Sequence, residues 1–476
     1  MSIDKTIEQK LNVKPIYFHL VHNYSYEGPC RTGKGDQLTP EYDEKYGLEN
    51  FERLKEDLKH LYSDDVKLLE PLYITWKDDF ILKDEHLSVV EADLQETDIF
   101  LVSGQLSQYY GSELALKYKK PVGVVGCCVS VDTSAYLNSV GLEGYAYIDH
   151  HHADPHFSLL RARKGIARTR VLSVLKGDMV SKGVVSGIRN LDSLTQKYGI
   201  KFKFVNAEEV LDAVSELDEK GLQEAERIAD ELIGKAVFCD MKREFVVNSA
   251  KYYVVVKRLL ERFECNAFTS PCFEICATRR LNKEKYTFCL AHTLLKEDGI
   301  PSSCEADMNA LLAMDILMNL TNAAPHMGNL HPVEHGRKPE KFKDVDNLLS
   351  MHHAVPTRYM HGRGGEPTPY GIQCFTHSGW GATIRHNYDE DEGKTVTFVR
   401  VDPTGTRLLA VRATIVGDIG FRDIGCATGF YSQVADVKDF FKKESQFGHH
   451  FAWVYGDVTE SLIELGELMG IEVVTA

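Results

Sequence analysis

A chain of 476 residues is too long for one hydrophobic core and is expected to divide into two to four domains. With 43% hydrophobic and 26% charged residues, its composition is that of a globular protein and not of a disordered one. Setting 55 Lys+Arg against 70 Asp+Glu leaves a net charge of −15, which disfavours general binding to nucleic acid or anionic membranes.

No apolar run approaches the ~18 residues needed to span a bilayer. The polar opening MSIDKTIEQKLNVKP is no secretory signal, so the expected location is the cytoplasm. The first third then alternates short apolar strands with polar helices. Strands are predicted at Pro15–Val21, Asp98–Val102, Pro121–Val125 and Tyr145–Ile148, with a helix over Leu48–Leu61. The second third repeats the pattern. Strands are predicted at Arg170–Leu175, Phe202–Val205, Ala236–Phe238 and Ala267–Thr269, and helices at Ala207–Leu217, Gly221–Ile233 and Val246–Phe263. Such alternation implies parallel sheets covered by helices. The run Leu311–Leu320 (LLAMDILMNL) is apolar nearly all round, which predicts a buried helix.

After about residue 345 the texture changes to Gly, Thr, Val, Phe and Arg. Strand-like runs at Lys394–Val401, Thr406–Val416 and Phe451–Tyr455 fit an antiparallel barrel or sandwich. A helix over Glu460–Leu468 and a strand over Ile471–Val474 close the chain. The expected fold is therefore α/β: two Rossmann-like parallel-sheet domains, 1–168 and 169–345, then a β-rich, barrel-like domain, 346–476. The eleven cysteines do not form a zinc pattern and are read as reduced core residues. Neither a G-x-G-x-x-G after the first strand nor a G-x-x-x-x-G-K-[ST] occurs, which disfavours a nucleotide-dependent oxidoreductase.

Four patches in the second half carry chemistry: Cys304-Glu305-Ala306-Asp307, Pro325-His326-Met327-Gly328-Asn329, Met351-His352-His353-Ala354-Val355-Pro356 and Gly448-His449-His450. A carboxylate at the mouth of a buried helix is costly unless it binds a cation or moves a proton. Carboxylate oxygen with imidazole nitrogen suits Mn²⁺, Fe²⁺, Co²⁺ or Zn²⁺. Adjacent histidines in an extended segment point to opposite sides, so one of each pair can reach a given ion.

The run C-E-A-D-M-N-A-L-L from Cys304, the Asn329 that follows Glu305 by 24 positions, H-H-A-V-P-T from His352 and G-H-H-F-A-W-V-Y-G-D from Gly448 occur in a set order. In this the chain resembles the L-fucose/L-arabinose isomerase superfamily over roughly Ala236 to the C-terminus, the loop Gly425-Cys426-Ala427-Thr428-Gly429 included. The resemblance implies two Rossmann-like domains with a β-rich third domain. It implies homo-trimers or homo-hexamers with active sites between subunits, and a divalent metal, usually Mn²⁺, serving aldose–ketose isomerisation of a sugar through an enediol(ate). By position it makes Glu305 a metal ligand and proton-transfer base, and His352 and His450 metal ligands. His353 and His449, the other member of each pair, are left to substrate contacts.

One departure stands out: relatives carry a second acidic ligand where this chain has Asn329. An amide oxygen can still ligate a metal but accepts no proton at neutral pH. Asn329 is then a neutral ligand, or Glu305 works with another group, or the reaction is altered. Asp307 offers a second carboxylate, although two residues along a helix turns it roughly 200° away. Losing a negative charge would suit a substrate that brings its own. For substrate contacts, Trp380 offers a stacking face, and Arg363 or Arg31 a grip on an anion, with hairpin turns and exposed arginines as the plain alternative. His150-His151-His152, after a parallel strand, is a further candidate. The leading expectation is a metal-dependent ketol isomerase of a C6-deoxy or C6-acid-substituted hexose, sulfonated for example. A metal-dependent epimerase or lyase, and a sugar-binding relative without catalysis, are the alternatives.

Overall fold

The structure, a computed structural model, describes residues 3–22, 33–59, 62–77, 81–126, 128–177, 179–276, 279–334 and 336–476. The chain divides into two units, Gln9–Arg161 and a larger one made of Met1–Glu8 with Ala162–Ala476.

The smaller unit is built on β1 (Leu11–Val21), β2 (Val66–Leu68), β3 (Leu72–Lys77), β4 (Ile99–Gly104), β5 (Val122–Val125) and β6 (Gly144–Tyr147). All pair in parallel, in the order β2-β1-β4-β5-β6. β3 follows β2 along the same edge of β1, pairing with Ile16–Val21 where β2 pairs with Leu11–Val13. β1 and β4 are buried almost without alternation, as strands covered on both faces must be. Ile16, Phe18, Val102, Val124 and Leu114 form the centre of this core. The expected strands of the first third are all present; β2 and β3 are additions, too short or too polar to read as apolar runs.

The larger unit contains β7 (Arg170–Ser173), β8 (Lys201–Phe204), β9 (Phe238–Cys239), β10 (Ala267–Thr269), β11 (Ser302–Ser303), β12 (His326–Pro332) and β13 (Leu348–His352). These are followed by β14 (Tyr370–Cys374), β15 (Ala382–His386), β16 (Thr395–Val401), β17 (Arg407–Ile419), β18 (Gly429–Gln433), β19 (His450–Tyr455) and β20 (Glu472–Thr475). A second parallel sheet runs β11-β10-β7-β8. A β-rich sheet runs β16-β19-β12-β13-β18-β17-β20, antiparallel except for β17 with β20, and β16 also pairs with β17. The α/β class with a β-rich C-terminal region is thus as expected. One strand is corrected: Phe238–Cys239 does not join the second parallel sheet but pairs with β14 in a three-stranded sheet with β15. The Phe238 ring lies on Gly371, where an added Cβ would come within 2.1 Å of it, so the strand is held by a glycine far along the chain.

The helix Met308–Thr321 is buried from Met308 to Asn319. It carries one ionisable residue in its interior, Asp315, which accepts from Thr6 Oγ1 at 3.2 Å, Thr169 Oγ1 at 2.5 Å and Asn319 Nδ2 at 2.9 Å. Burial pushes its carboxyl up to about 7 against those hydrogen bonds. The folded state therefore holds this proton up to about pH 7, whereas the unfolded chain releases it near pH 4. Stability is lost as pH rises across that window. Asp315→Asn, which cannot ionise, should melt a few degrees above the native protein at pH 8, and calorimetry should find that advantage gone at pH 4. Among the described residues no helix is long and apolar enough to cross a membrane.

Candidate active site

β11 delivers the chain to the buried helix through four residues. Glu305 (φ +57°) and Ala306 (φ +49°) both adopt the left-handed conformation, at about 1–2 kcal/mol each for an L residue. Neighbours hold them there. Glu305 N donates to Cys272 Sγ at 3.0 Å, Ala306 N to Ser270 O at 2.7 Å, and Cys304 N to Met327 Sδ at 3.2 Å. Asp307 then caps the helix, accepting from Ala310 N at 3.0 Å. Glu305 therefore precedes the helix and does not lie in its first turn. The roughly 200° that a helix would put between Glu305 and Asp307 does not apply.

The left-handed pair turns the Glu305 carboxylate toward two histidines. Its Oε1 lies 3.6 Å from His353 Nε2 and 4.0 Å from His450 Nε2. Both rings are buried. Burial pushes the Glu305 carboxyl up, but His353 and His450 outweigh it, and the group titrates below its ordinary range. Its second oxygen faces Gly183, where an added Cβ would stand 2.3 Å from Oε2. These three residues are one of the groups able to hold a metal ion.

The donor set passes a test of fit. Among the described residues the buried His353 ring, 1% exposed, has no hydrogen-bond partner on Nδ1 and only the Glu305 carboxylate, at 3.6 Å, beside Nε2. A buried imidazole left so is expensive unless a ligand completes it. Ligands about 2.1 Å from one tetrahedral ion stand about 3.4 Å apart, close to the 3.6 and 4.0 Å here. A second group, His361, His386 and Asp391, fits less well. Asp391 already accepts from His386 Nε2 at 2.9 Å, from Lys394 Nζ at 2.6 Å and from the Tyr455 hydroxyl. Three donors, one of them a cation, already hold its two oxygens.

Asp307 is buried beside the first group without facing Glu305. Its Oδ2 meets Arg400 Nη1 at 2.9 Å and His450 Nδ1 at 3.0 Å. Burial raises its carboxyl, but Arg400, His450 and the Ala310 N–H bring it well below the usual carboxylate range. An ionised carboxylate only accepts, so the His450 proton sits on Nδ1 and the Nε2 lone pair is presented to Glu305. Arg400 is itself engaged through all three of its nitrogens. It also donates to Phe447 O at 2.8 Å, His450 O at 2.5 Å and Ser186 Oγ at 3.1 Å.

Of the remaining expected residues, Asn329 and His449 lie next to His450 and the others farther off. Asn329 lies in the middle of β12, paired with His352 on one side and His450 on the other. His352 ends β13, and its ring meets that of His331 at 5.6 Å; the chain then leaves the strand, and it is His353 that reaches Glu305. His449 packs against His450, ring to ring at 4.4 Å. Trp380 is 4% exposed, with Lys285 over its ring at 5.6 Å, so it offers no open stacking face. Arg363 donates to Glu297 O at 3.2 Å and to Asn322 Oδ1 at 2.9 Å. Asn322 ends the 14-residue helix that Asp307 begins, about 21 Å away at 1.5 Å per residue. His150 Nδ1 bonds Tyr62 Oη at 2.8 Å, and His152 Nδ1 accepts from Ile148 N at 3.1 Å, both within the smaller unit. Arg31 lies outside the described residues.

Arg400, Gly183 and Lys296 escaped the sequence reading, since nothing local marks them. Fully buried Lys296 donates to Val355 O at 2.6 Å and pins the segment that carries His353.

No family model matches the chain. It is 24% identical over 322 residues to a sulfoquinovose isomerase of Priestia aryabhattai, a match covering 66% of this chain and 67% of that protein. A sulfoquinovose isomerase of Priestia megaterium matches to the same extent. With a sulfoquinovose isomerase of Alkalicoccus urumqiensis the identity is 28% over 191 residues, 39% of this chain and 40% of the relative.

Proposed function

We propose that this protein is an aldose–ketose isomerase of an acid-substituted monosaccharide, with Glu305, His353 and His450 as the ligands of a divalent cation, Mn²⁺ being the first candidate. Three relatives named as isomerases support the enzyme class, and their named substrate supports a sulfonated sugar. The observation that carries the site is the buried His353 ring, without a hydrogen-bond partner on Nδ1 among the described residues, whose Nε2 stands 3.6 Å from Glu305 Oε1.

When bound there, a divalent cation supplies Lewis-acid polarisation to the sugar's oxygens. Glu305 does the proton work. Held ionised at neutral pH, it takes the proton from C2 of the aldose and returns it to C1 on the same face of the enediol, while the O2 hydroxyl proton passes to O1 to leave the C2 carbonyl of the ketose. Oε1 is turned to the histidines, so Oε2, over the bare backbone of Gly183, is the oxygen for this transfer. Asp307 and Arg400 keep the His450 tautomer and ring position fixed.

This reading moves the ligand role within the first histidine pair from His352 to His353. His353→Ala should abolish stoichiometric Mn²⁺ binding and His352→Ala should retain it, as read by titration calorimetry and metal content after dialysis. The opposite pattern refutes the assignment. Epimerisation through the same enediolate is the second reading, and Asn329 counts against it, because a neutral amide cannot deliver a proton to the opposite face of C2. Identification of the product, ketose against epimeric aldose, separates the two. The trimer or hexamer implied by the resemblance is part of the proposal, and light scattering of the intact protein tests it.

A further inference from the structure

The loop Gly425–Thr428 joins the candidate site to a second, unusual group. At one end His353 N donates to Thr428 O at 2.9 Å; three residues back, Gly425 O accepts from Arg385 Nη2 at 2.7 Å. Three residues span at most about 11 Å, and a six-carbon chain with a terminal acid is itself roughly 8 Å long at about 1.5 Å per bond.

Arg385, on β15, is fully buried. Its Nε and Nη1 have no hydrogen-bond partner among the described residues, and the buried Thr428 hydroxyl on the same loop has none either. A guanidinium cannot shed its proton to relieve the cost of burial, so open N–H groups in the interior call for an anion. The thiols around it do not provide one, and Asp423, a carboxylate that also acts on it, is an exposed residue. Burial pushes Cys289 up to about 12 and raises Cys426 as well, which keeps both neutral. Burial also lowers Arg385 itself to about 10, still charged at neutral pH. Arg400, by contrast, is satisfied by Asp307 and three other acceptors, and Arg363 sits at the far end of the buried helix.

We infer that Arg385, with the Thr428 hydroxyl, binds the acid group of the substrate, and that the substrates are monosaccharides with an anionic oxygen-rich substituent remote from the reacting carbons. This rests on the isomerase reading above. Sulfonate, phosphate and carboxylate share the required chemistry.

The test uses the metal-loaded full-length protein with four sugars: a 6-deoxy-6-sulfohexose, a hexose 6-phosphate, a hexuronate and the neutral hexose. Binding is followed by titration calorimetry and ketose formation by kcat/KM. The native protein should prefer at least one acid sugar, and Arg385→Met should reduce the acid-over-neutral ratio about 100-fold. Arg385→Lys should recover part of it. Should Arg385→Met fail to fold, methanesulfonate, sulfate and acetate tested on the native protein take its place. At least one should compete with the acid sugar and raise the melting temperature, and failure of all three overturns the inference. Equal losses for acid and neutral sugars in Arg385→Met overturn it too. Arg385-dependent binding of an acid sugar without any ketose would defeat the isomerase reading and leave the anion site standing. Turnover of the neutral sugar with no preference for an acid would do the reverse.

Discussion

Glu305→Gln should lower ketose formation by about 10²–10⁴-fold, the range for loss of a positioned general base. The amide removes the proton acceptor and also the one anionic donor of the candidate metal group, so Mn²⁺ affinity should fall with it. Glu305→Asp separates the two roles. It keeps the charge beside His353 and His450 but withdraws the carboxylate by one methylene, so metal binding should recover more than turnover does. Because Glu305 sits in a left-handed turn held by Cys272 and Ser270, the fold should survive both changes, which circular dichroism can verify. Turnover unchanged in Glu305→Gln would end the assignment of this residue to chemistry.

Asp307→Asn is expected to act through His450. Asn still caps a helix well, so the helix Met308–Thr321 keeps its first turn. What changes is the partner of His450 Nδ1. An amide N–H can donate there, which moves the imidazole proton to Nε2 and removes the lone pair that faces Glu305. Metal affinity should fall about 10–100-fold, as for other residues that orient a metal-binding histidine. The same change leaves the Arg400 charge buried without its anion, and breaking such a pair costs about 3–5 kcal/mol. A lower melting temperature with unaltered Mn²⁺ affinity would reduce Asp307 to a purely structural role.

Much of the fold was legible because its signals are local. Parallel strands buried on both faces read as apolar runs, and β1, β4, β5, β6 and β10 lie where those runs are. The helix Met308–Thr321 was legible from its unbroken apolar character. β9 was misplaced because its partner, β14, is more than a hundred residues later, and pairing across that distance leaves no trace in composition.

The candidate site divides in the same way. Residue types in order named the patches around Glu305, Asn329, His352 and His450, and strand alternation required that one histidine of each pair turn away. Which one turns inward depends on where a strand stops. β13 ends at His352, and the side chain that approaches Glu305 is His353. Left-handed backbone at Glu305 and Ala306 has no signature in those residue types.

By itself, then, the sequence determined the class of fold, the buried helix and the patches of carboxylate and imidazole residues, because periodicity and residue type are properties of neighbouring residues. Only the tertiary structure decided that Asp307 fixes a histidine, that Asn329 sits between two strands, and that Arg385 is buried with open N–H groups. Those are facts of burial and of partners brought together from segments up to 143 residues apart, as in Asp307 with His450, and desolvation is felt only once the chain has folded around them.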